Sequence, residues 1–307
     1  MVRRFKISLF LIAVTSICVL FNLYGQSRRN PGAPLFRVGV ESVFVRVSVI
    51  DPLNRFVTGL EKEHFRVFED KIEQSISYFN RELAPISVGI IFDISGSMKD
   101  NNNIRKAKSA ITQFLSSGNR EDEYFLITFN ESTKLAHSFT SESNSIQSEV
   151  AFQKPGGSTA LYDAVYRGLD EINRGATNDK KALILITDGE DNSSRYSHSE
   201  VRDFIKESDV QIYAVGEHGN LGYGQSQVRR IVSLTGGRSF FPNTFNELDY
   251  YIDLIHSELR HQYILGYEPT NKIHDGKYRK IKVRLEAPKG LPKLNVYAKE
   301  GYYAPKG

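Results

Sequence analysis

A continuous apolar run at Ile86–Phe92 constrains the fold more than any other feature, because such a strand must be covered on both faces. Downstream of it, strand-like apolar runs alternate with segments whose apolar residues recur at helical spacing. The strand-like runs are Tyr124–Phe129, Ala182–Ile186 and Val210–Val215. The helical segments are Ile104–Leu115, Leu161–Ile172, Val201–Ile205, Val228–Leu234 and Leu248–Leu259. This alternation predicts βαβ units and a doubly wound, mostly parallel α/β sheet over residues 84–262.

The two segments that flank this α/β domain have the period-two pattern of half-buried strands. Valines alternate with other residues in Val43–Val49, and apolar residues alternate with basic ones in Ile281–Leu285. Each flank has only about 45 residues, which is few for an independent sandwich. We therefore expect residues 36–82 and 263–307 to pair with each other as one β-sandwich, with the α/β domain inserted between them.

The first 26 residues have a basic start, an apolar middle and a polar exit. Arg3, Arg4 and Lys6 precede the apolar run Ile7–Leu23, which is typical of a secretory signal and predicts export to the periplasm or the medium. The run is about 17 residues long, the lower limit for a membrane span, so retention as an N-terminal anchor stays open as the alternative. Residues 27–35 are polar and proline-containing, which predicts a linker.

The composition of the chain argues against several classes of function. The chain has 40 basic and 36 acidic residues, a formal charge of +4, and three of the basic residues lie in the leader. The nearly neutral remainder gives no electrostatic case for nucleic acid, and membrane contact is expected only through an uncleaved leader. The one cysteine, Cys18, also lies in the leader, so a disulfide framework and a cysteine metal cluster are excluded.

Oxygen-bearing side chains occur at three places that the predicted fold brings to one edge of the sheet. Asp93, Ser95 and Ser97 follow the first buried strand. Thr159 precedes a helix, and Asp188 follows another apolar strand. Parallel strands end at a common edge, where open α/β sheets bind their ligands. Because these oxygens suit a hard cation, the sequence predicts a site for Mg²⁺ (or Mn²⁺) that still seeks an anionic ligand from outside.

The order of these motifs resembles the von Willebrand factor type A (VWA) domain. The motifs are D-x-S-x-S at Asp93–Ser97, a threonine after a Gly-Gly pair, and T-D-G at Thr187–Gly189. The resemblance covers roughly residues 84–262, and the flanks resemble a bacterial exported subfamily. It implies a Rossmann-like fold and a metal-ion-dependent adhesion site, or MIDAS. One departure at the site is Ser158, which stands directly before Thr159, where the family usually runs Gly-Gly-Thr.

The same resemblance implies how the site works. The two serines would bind the ion directly, and Asp93 would act largely through water. Thr159 and Asp188 would exchange direct contact with the ion as the domain switches state. A partner protein would complete the coordination with a Glu or Asp side chain. The resemblance also implies that the last helix, over residues 246–262, can shift on ligand capture, and a rigid junction is the alternative.

Other functions are less well supported by the residues. An aspartyl-phosphate phosphatase needs a second Asp two residues after the first, where Ser95 stands, and no G-x-S-x-G elbow occurs. We therefore expect no enzyme. A structural envelope subunit whose metal only stabilises the fold is the alternative function. Asp100 is expected to cap the helix that follows it, and Glu190 and Asp191 are interpreted as a solvated acidic loop.

Overall fold

The computed structural model describes residues 42–81, 84–187, 191–216 and 222–307, so the predicted leader and linker lie outside it. Its strands are β1 (Val43–Ile50), β2 (Phe65–Glu69), β3 (Ile72–Gln74), β4 (Ile76–Asn80), β5 (Ile86–Asp93), β6 (Glu123–Phe129), β7 (Thr133–Thr140), β8 (Lys180–Ile186), β9 (Gln211–Val215), β10 (Ser239–Phe240), β11 (Tyr263–Tyr267), β12 (Tyr278–Leu285), β13 (Asn295–Ala298) and β14 (Gly301–Tyr303). Its α-helices are α1 (Asn103–Ser116), α2 (Ser143–Phe152), α3 (Leu161–Gly175), α4 (His198–Glu207), α5 (Gly222–Leu234) and α6 (Leu248–Arg260). None of the helices in this part of the chain is long and apolar enough to span a membrane.

The central sheet has six strands in the order β10-β9-β8-β5-β6-β7. The first five strands are parallel, and β7 is antiparallel to β6. Phe92 lies opposite Ile186, and Asp93 lies opposite Phe129, so β5, β8 and β6 end side by side. This confirms the predicted doubly wound sheet, and it sets three loops next to each other at the carboxyl edge.

Three helices cover each face of the central sheet. Helices α1, α2 and α6 bury their apolar stripes with Val88, Ile90 and Phe92 of β5. Helices α3, α4 and α5 pack on the other face, which includes Ile91. A Cβ atom on Gly168 of α3 would lie 2.7 Å from the Ile91 side chain, so glycine is needed for this close helix–strand approach. The central strand is therefore buried along its whole length.

The two flanks form a β-sandwich from interleaved strands. One sheet has the order β13-β1-β11-β4, and the other has the order β14-β12-β2-β3. In both sheets, strands that precede the α/β domain pair antiparallel with strands that follow it. Buried residues from both flanks, such as Val47, Val67 and Leu265, share one core. The strand pairing confirms the predicted fold class, in which both flanks build one sandwich.

A buried polar cluster joins the sandwich to the α/β domain. The guanidinium of Arg238 lies 3.3 Å from the carboxylate of Glu258 on α6 and donates to Asn54 Oδ1 at 2.7 Å. Gln262, two residues after α6, donates to the hydroxyl of Ser48 on β1 at 3.2 Å. These contacts attach the C-terminal end of α6, and the residues directly after it, to β1 and to the turn that follows β1.

The structure corrects one local prediction and adds one strand that was not predicted. The residue at the N-cap of α1 is Asn102, in the left-handed region with φ 62°, so Asp100 is not the cap. The reason is that Gly96–Asn102 winds as a 3-10 helix directly after the site loop, which delays the start of the α-helix. Strand β7 was not expected either, because its side chains are half-buried or exposed without a period of two.

Candidate metal centre

Asp93 ends the central strand β5 with its side chain fully buried. Its Oδ1 accepts a hydrogen bond from the backbone N–H of Ser95 at 2.8 Å. Its Oδ2 accepts one from the hydroxyl of Thr187, at the end of β8, at 2.7 Å. A buried carboxylate is costly unless it is hydrogen-bonded or paired with a cation. Both oxygens are therefore oriented by neighbouring loops at the predicted edge of the sheet.

The two predicted serine donors lie side by side. The hydroxyl oxygens of Ser95 and Ser97 are 3.1 Å apart. Ser95 is buried, whereas Ser97 is exposed, so the pair runs from the interior to the surface. Adjacent ligands of an octahedral Mg²⁺ at 2.0–2.1 Å from the ion are about 2.9 Å apart. The spacing and chemistry of this donor set fit such an ion.

The predicted Gly-Gly loop is held against the serine loop by backbone hydrogen bonds. The N–H of Gly96 donates to the carbonyl of Gly157 at 2.9 Å, and the N–H of Gly156 donates to the carbonyl of Ile94 at 2.8 Å. Gly157 has φ +86°, a conformation that L-residues with a Cβ adopt at a cost. The glycine pair thus gives the loop the shape that brings it to the site.

Thr159 and Ser158 differ in where they lie. Thr159 is 4% exposed, while Ser158 is exposed. The backbone of Thr159 is tied to the segment after β8, because its N–H donates to Asn192 Oδ1 at 2.8 Å and its carbonyl accepts from the N–H of Asn192 and Ser193. The structure therefore brings Thr159 and the ends of β5 and β8 together. The fifth predicted ligand, Asp188, lies outside the described residues.

Two acidic residues near the site have roles that the sequence did not reveal. Asp191 Oδ1 accepts from the N–H of Leu161 at 2.8 Å, at the start of α3, and from the hydroxyl of Ser194. Asp191 is thus bound into the site loops, and its interpretation as a solvated residue was wrong. Asp163 Oδ1 accepts the N–H groups of Arg195 and Tyr196. The signal for Asp163 was weak, because an acid in the first turn of a helix usually suggests a local cap.

A third missed residue is Thr187, the first residue of the T-D-G motif. Its hydroxyl orients Asp93, and its N–H donates to the carbonyl of Val215 at 3.1 Å. Within the described part of the chain, no three His, Cys, Asp or Glu side chains converge on one point.

Comparisons with known proteins identify the fold family. The family model for the von Willebrand factor type A domain matches residues 87–253. A solved von Willebrand factor type A protein from Catenulispora acidiphila is 11% identical, covers 85% of this chain and 74% of its own, and has a TM-score of 0.52. The vWF domain of the type V pili tip protein Mfa5 from Porphyromonas gingivalis is 12% identical, covers 57% of this chain and 95% of its own, and has a TM-score of 0.50. At these identities the likeness concerns the fold alone. No curated protein matches the chain.

Proposed function

Because the chain belongs to the von Willebrand factor type A domain family, whose members commonly bind a divalent metal and act as interaction modules, we propose that it is a metal-dependent protein-binding module. The cation is Mg²⁺ (or Mn²⁺). The residues that hold it are Asp93, Ser95, Ser97, Thr159 and Asp188. The partner is a protein that offers a Glu or Asp carboxylate. Members of the family are generally not enzymes, and we propose no catalytic activity here.

The observation that carries this proposal is the pair of serine hydroxyls 3.1 Å apart beside a fully buried carboxylate. Both oxygens of Asp93 already accept hydrogen bonds, which supports an indirect role for this residue through water. Ser95 and Thr159 are buried, so they provide oxygens on the protein side of the site. Ser97 is exposed and lies where a partner arrives. The bound cation would supply a coordination position that attracts an external carboxylate.

The leader supports a place outside the cytoplasm for this module. We propose that the protein is exported to the periplasm or secreted, with the apolar segment Ile7–Leu23 as a membrane anchor if it is not cleaved. In that setting the partner is a protein of the cell envelope or of the surroundings.

The proposal is tested by titrating Mg²⁺ into the protein by calorimetry. We expect Asp93→Ala to abolish binding, because it removes the carboxylate that orients the serine loop. Asp100→Ala is the matched control, since this exposed acid lies on the same 3-10 helix and has no role at the site. Excess Mg²⁺ should also stabilise the fold, by about 2.7 kcal/mol at one hundred times the dissociation constant. Equal affinity in wild type and Asp93→Ala would contradict the proposal.

One observation favours a second candidate, a structural envelope subunit whose metal only stabilises the fold. The Asp93–Thr187 bond and the Gly96–Gly157 bond already join three loops through the site, so an ion there would reinforce them. A capture experiment with immobilised protein and envelope extract separates the two functions. A partner that is released by EDTA and not captured by Ser97→Ala supports adhesion. Metal stabilisation without EDTA-sensitive capture supports the structural role.

A further inference from the structure

The formal charge of the chain is divided unequally between its structural parts. Residues 84–262 carry 18 basic and 24 acidic side chains, a formal charge of −6. Residues 263–307 carry 10 basic and 4 acidic side chains, a formal charge of +6. The near neutrality of the whole chain is therefore a cancellation between an acidic α/β domain and a basic C-terminal flank. The total charge of the chain does not reveal this asymmetry.

The basic flank presents a row of cations on one strand. Lys280, Lys282 and Arg284 of β12 are exposed, while Ile281 between them is buried in the sandwich core. Side chains two residues apart on one face of a strand are separated by about 6.6 Å, so the three charges form a line about 13 Å long. None of the three forms an ion pair within the described part of the chain. We call these three residues the basic stripe.

Other cations of this flank are neutralised by acids. Arg279 is buried and pairs with Asp275 at 2.8 Å, and Lys277 lies 3.6 Å from the same carboxylate. Lys299 pairs with Asp209 of the α/β domain at 3.0 Å. The basic stripe differs from these cations because no acidic side chain of the described residues pairs with it.

The strand next to β12 limits the width of the stripe. Arg66 of β2 lies opposite Arg284, and it is bound to both Glu73 at 3.3 Å and Glu286 at 3.2 Å. Asp70 accepts the backbone N–H of Lys280 at 2.9 Å. A planar anionic membrane would bring its charges against these acids as well as the stripe. A narrow, linear polyanion follows the cations and avoids the acids.

The aromatic side chains on this face argue against single-stranded nucleic acid. The guanidinium of Arg284 lies over the ring of Phe68 at 4.7 Å. Phe68 is half-buried and covered by this cation, so it offers no free ring on which a base could stack. Proteins that bind single strands without sequence preference rely on such stacking. At the start of β12, the half-buried ring of Tyr278 packs edge-on against Tyr303 at 5.2 Å and is covered by the Lys206 ammonium at 5.1 Å. The three residues of the stripe thus offer positive charges in a line, with no freely exposed ring of the described residues beside them.

We propose that the basic stripe binds an acidic polysaccharide, a linear chain of sugar rings that carries a carboxylate on each repeat. The carboxylates pair with Lys280, Lys282 and Arg284 in succession. The exposed residues Lys289 and Lys293 follow β12 in the next loop and extend the positive charge beyond the end of the strand. This binding needs no metal, so it is independent of the site at Asp93.

The test measures binding of polygalacturonate to the full chain by biolayer interferometry in EDTA, with neutral dextran as the polymer control. Replacing all three residues of the stripe by Gln should weaken binding on the order of 100-fold, because each cation near an anionic surface contributes about fivefold. The affinity of the wild type should fall linearly with salt on logarithmic axes, and the slope should be smaller for the triple variant. Lys282→Gln alone should give an intermediate loss of affinity. A graded loss of this kind would show that the effect of the triple variant comes from the missing charges and not from misfolding.

A matched control removes three positive charges elsewhere, by Lys106→Gln, Lys134→Gln and Arg230→Gln in the α/β domain. It should retain wild-type binding. Equal loss in both triple variants, or unchanged binding in the stripe variant, would overturn the proposal. Tighter stripe-dependent binding of poly-glutamate, single-stranded DNA or phosphatidylserine vesicles than of polygalacturonate would also overturn it, in favour of that class of partner. Because EDTA is present throughout, a failure here leaves the metal-dependent function untouched.

Discussion

The α/β domain and the β-sandwich are assembled from the sequence in opposite ways. In the α/β domain, each strand and the helix that follows it lie in one continuous stretch, and both faces of the sheet are covered by helices from that stretch. In the sandwich, every sheet combines strands from the two ends of the described chain. Val47, for example, pairs with Tyr263 on one side and with Ala298 on the other. The core of the sandwich therefore needs contacts between segments about 200 residues apart, and the entropy of closing that loop is lost before these contacts can compensate for it.

The largest effect is expected when the α/β domain and the two flanks are produced as separate polypeptides. We expect residues 84–262 alone to fold with helical circular dichroism, because their core is self-contained. Either flank alone should stay largely unfolded, since each sheet would lose strands and the shared core would lose half of its residues. The control joins the two flanks through a flexible Gly/Ser linker in place of the α/β domain. A flank that unfolds cooperatively by itself would show that the sandwich does not depend on chain closure.

A second test acts on the junction where the two regions meet. Arg238→Met leaves the Glu258 carboxylate buried without its cation, and breaking a buried pair in this way costs about 3–5 kcal/mol. Arg195→Met is the matched control, because Arg195 also forms an ion pair, with Asp163, but its side chain is 85% exposed. We expect little change in that variant, since exposed pairs contribute little. Urea unfolding measures both effects, and equal destabilisation would show that burial is not the cause.

The pH dependence of the Arg238→Met variant sharpens this test. Burial raises the pKa of the Glu258 carboxyl above its ordinary value. At pH values between the unfolded and the folded pKa of Glu258, the native state binds more protons than the unfolded state. The contribution of Glu258 to the free energy of unfolding therefore falls as the pH rises through this range. Removing Arg238 raises the folded pKa further. The loss of stability should therefore be smaller at about pH 5 than at about pH 8. The same loss at both values would mean that removing Arg238 does not change the protonation of Glu258 in the folded state between these two pH values.

The two regions also differ in how far the sequence predicted them. Ile86–Phe92 and the motif that follows it are local signals, so the central strand and the positions of Asp93, Ser95 and Ser97 could be predicted. Strand β7 could not, because its residues are half-exposed and have no apolar period. For the sandwich, the flanks were too short to fold alone, which predicted that they pair. The register could not be predicted, because it depends on strands about 200 residues apart.

The same distinction explains what was missed at the candidate site. Asp163 and Asp191 act by accepting backbone N–H groups about 30 residues away in the chain. No local pattern reveals such a bond, since it depends on how two loops meet after the sheet has formed. Asp100 was assigned as a helix cap from its spacing, but the 3-10 helix before α1 moved the cap to Asn102. The role of Asp188 stays a prediction, since it lies outside the described residues.

The smallest expected effect compares two neighbouring glycines in the loop that meets the serines. Gly157→Ala places a Cβ on a residue with φ +86° and against the carboxylate of Glu131, and the left-handed conformation costs an L-residue about 1–2 kcal/mol. Gly156→Ala is the matched control, because no atom lies within 4 Å of the added Cβ.

Urea unfolding should show a loss of stability for Gly157→Ala and none for Gly156→Ala, and calorimetry should show weaker Mg²⁺ binding only for Gly157→Ala. The loop can relieve the strain only by moving the carbonyl of Gly157, which accepts the N–H of Gly96 between the two serines. Gly157→Asn should recover part of the loss, because asparagine tolerates the left-handed region. If the two alanine variants have the same Mg²⁺ affinity, the backbone of this loop does not set the position of the serine donors, and the side chains alone define the site.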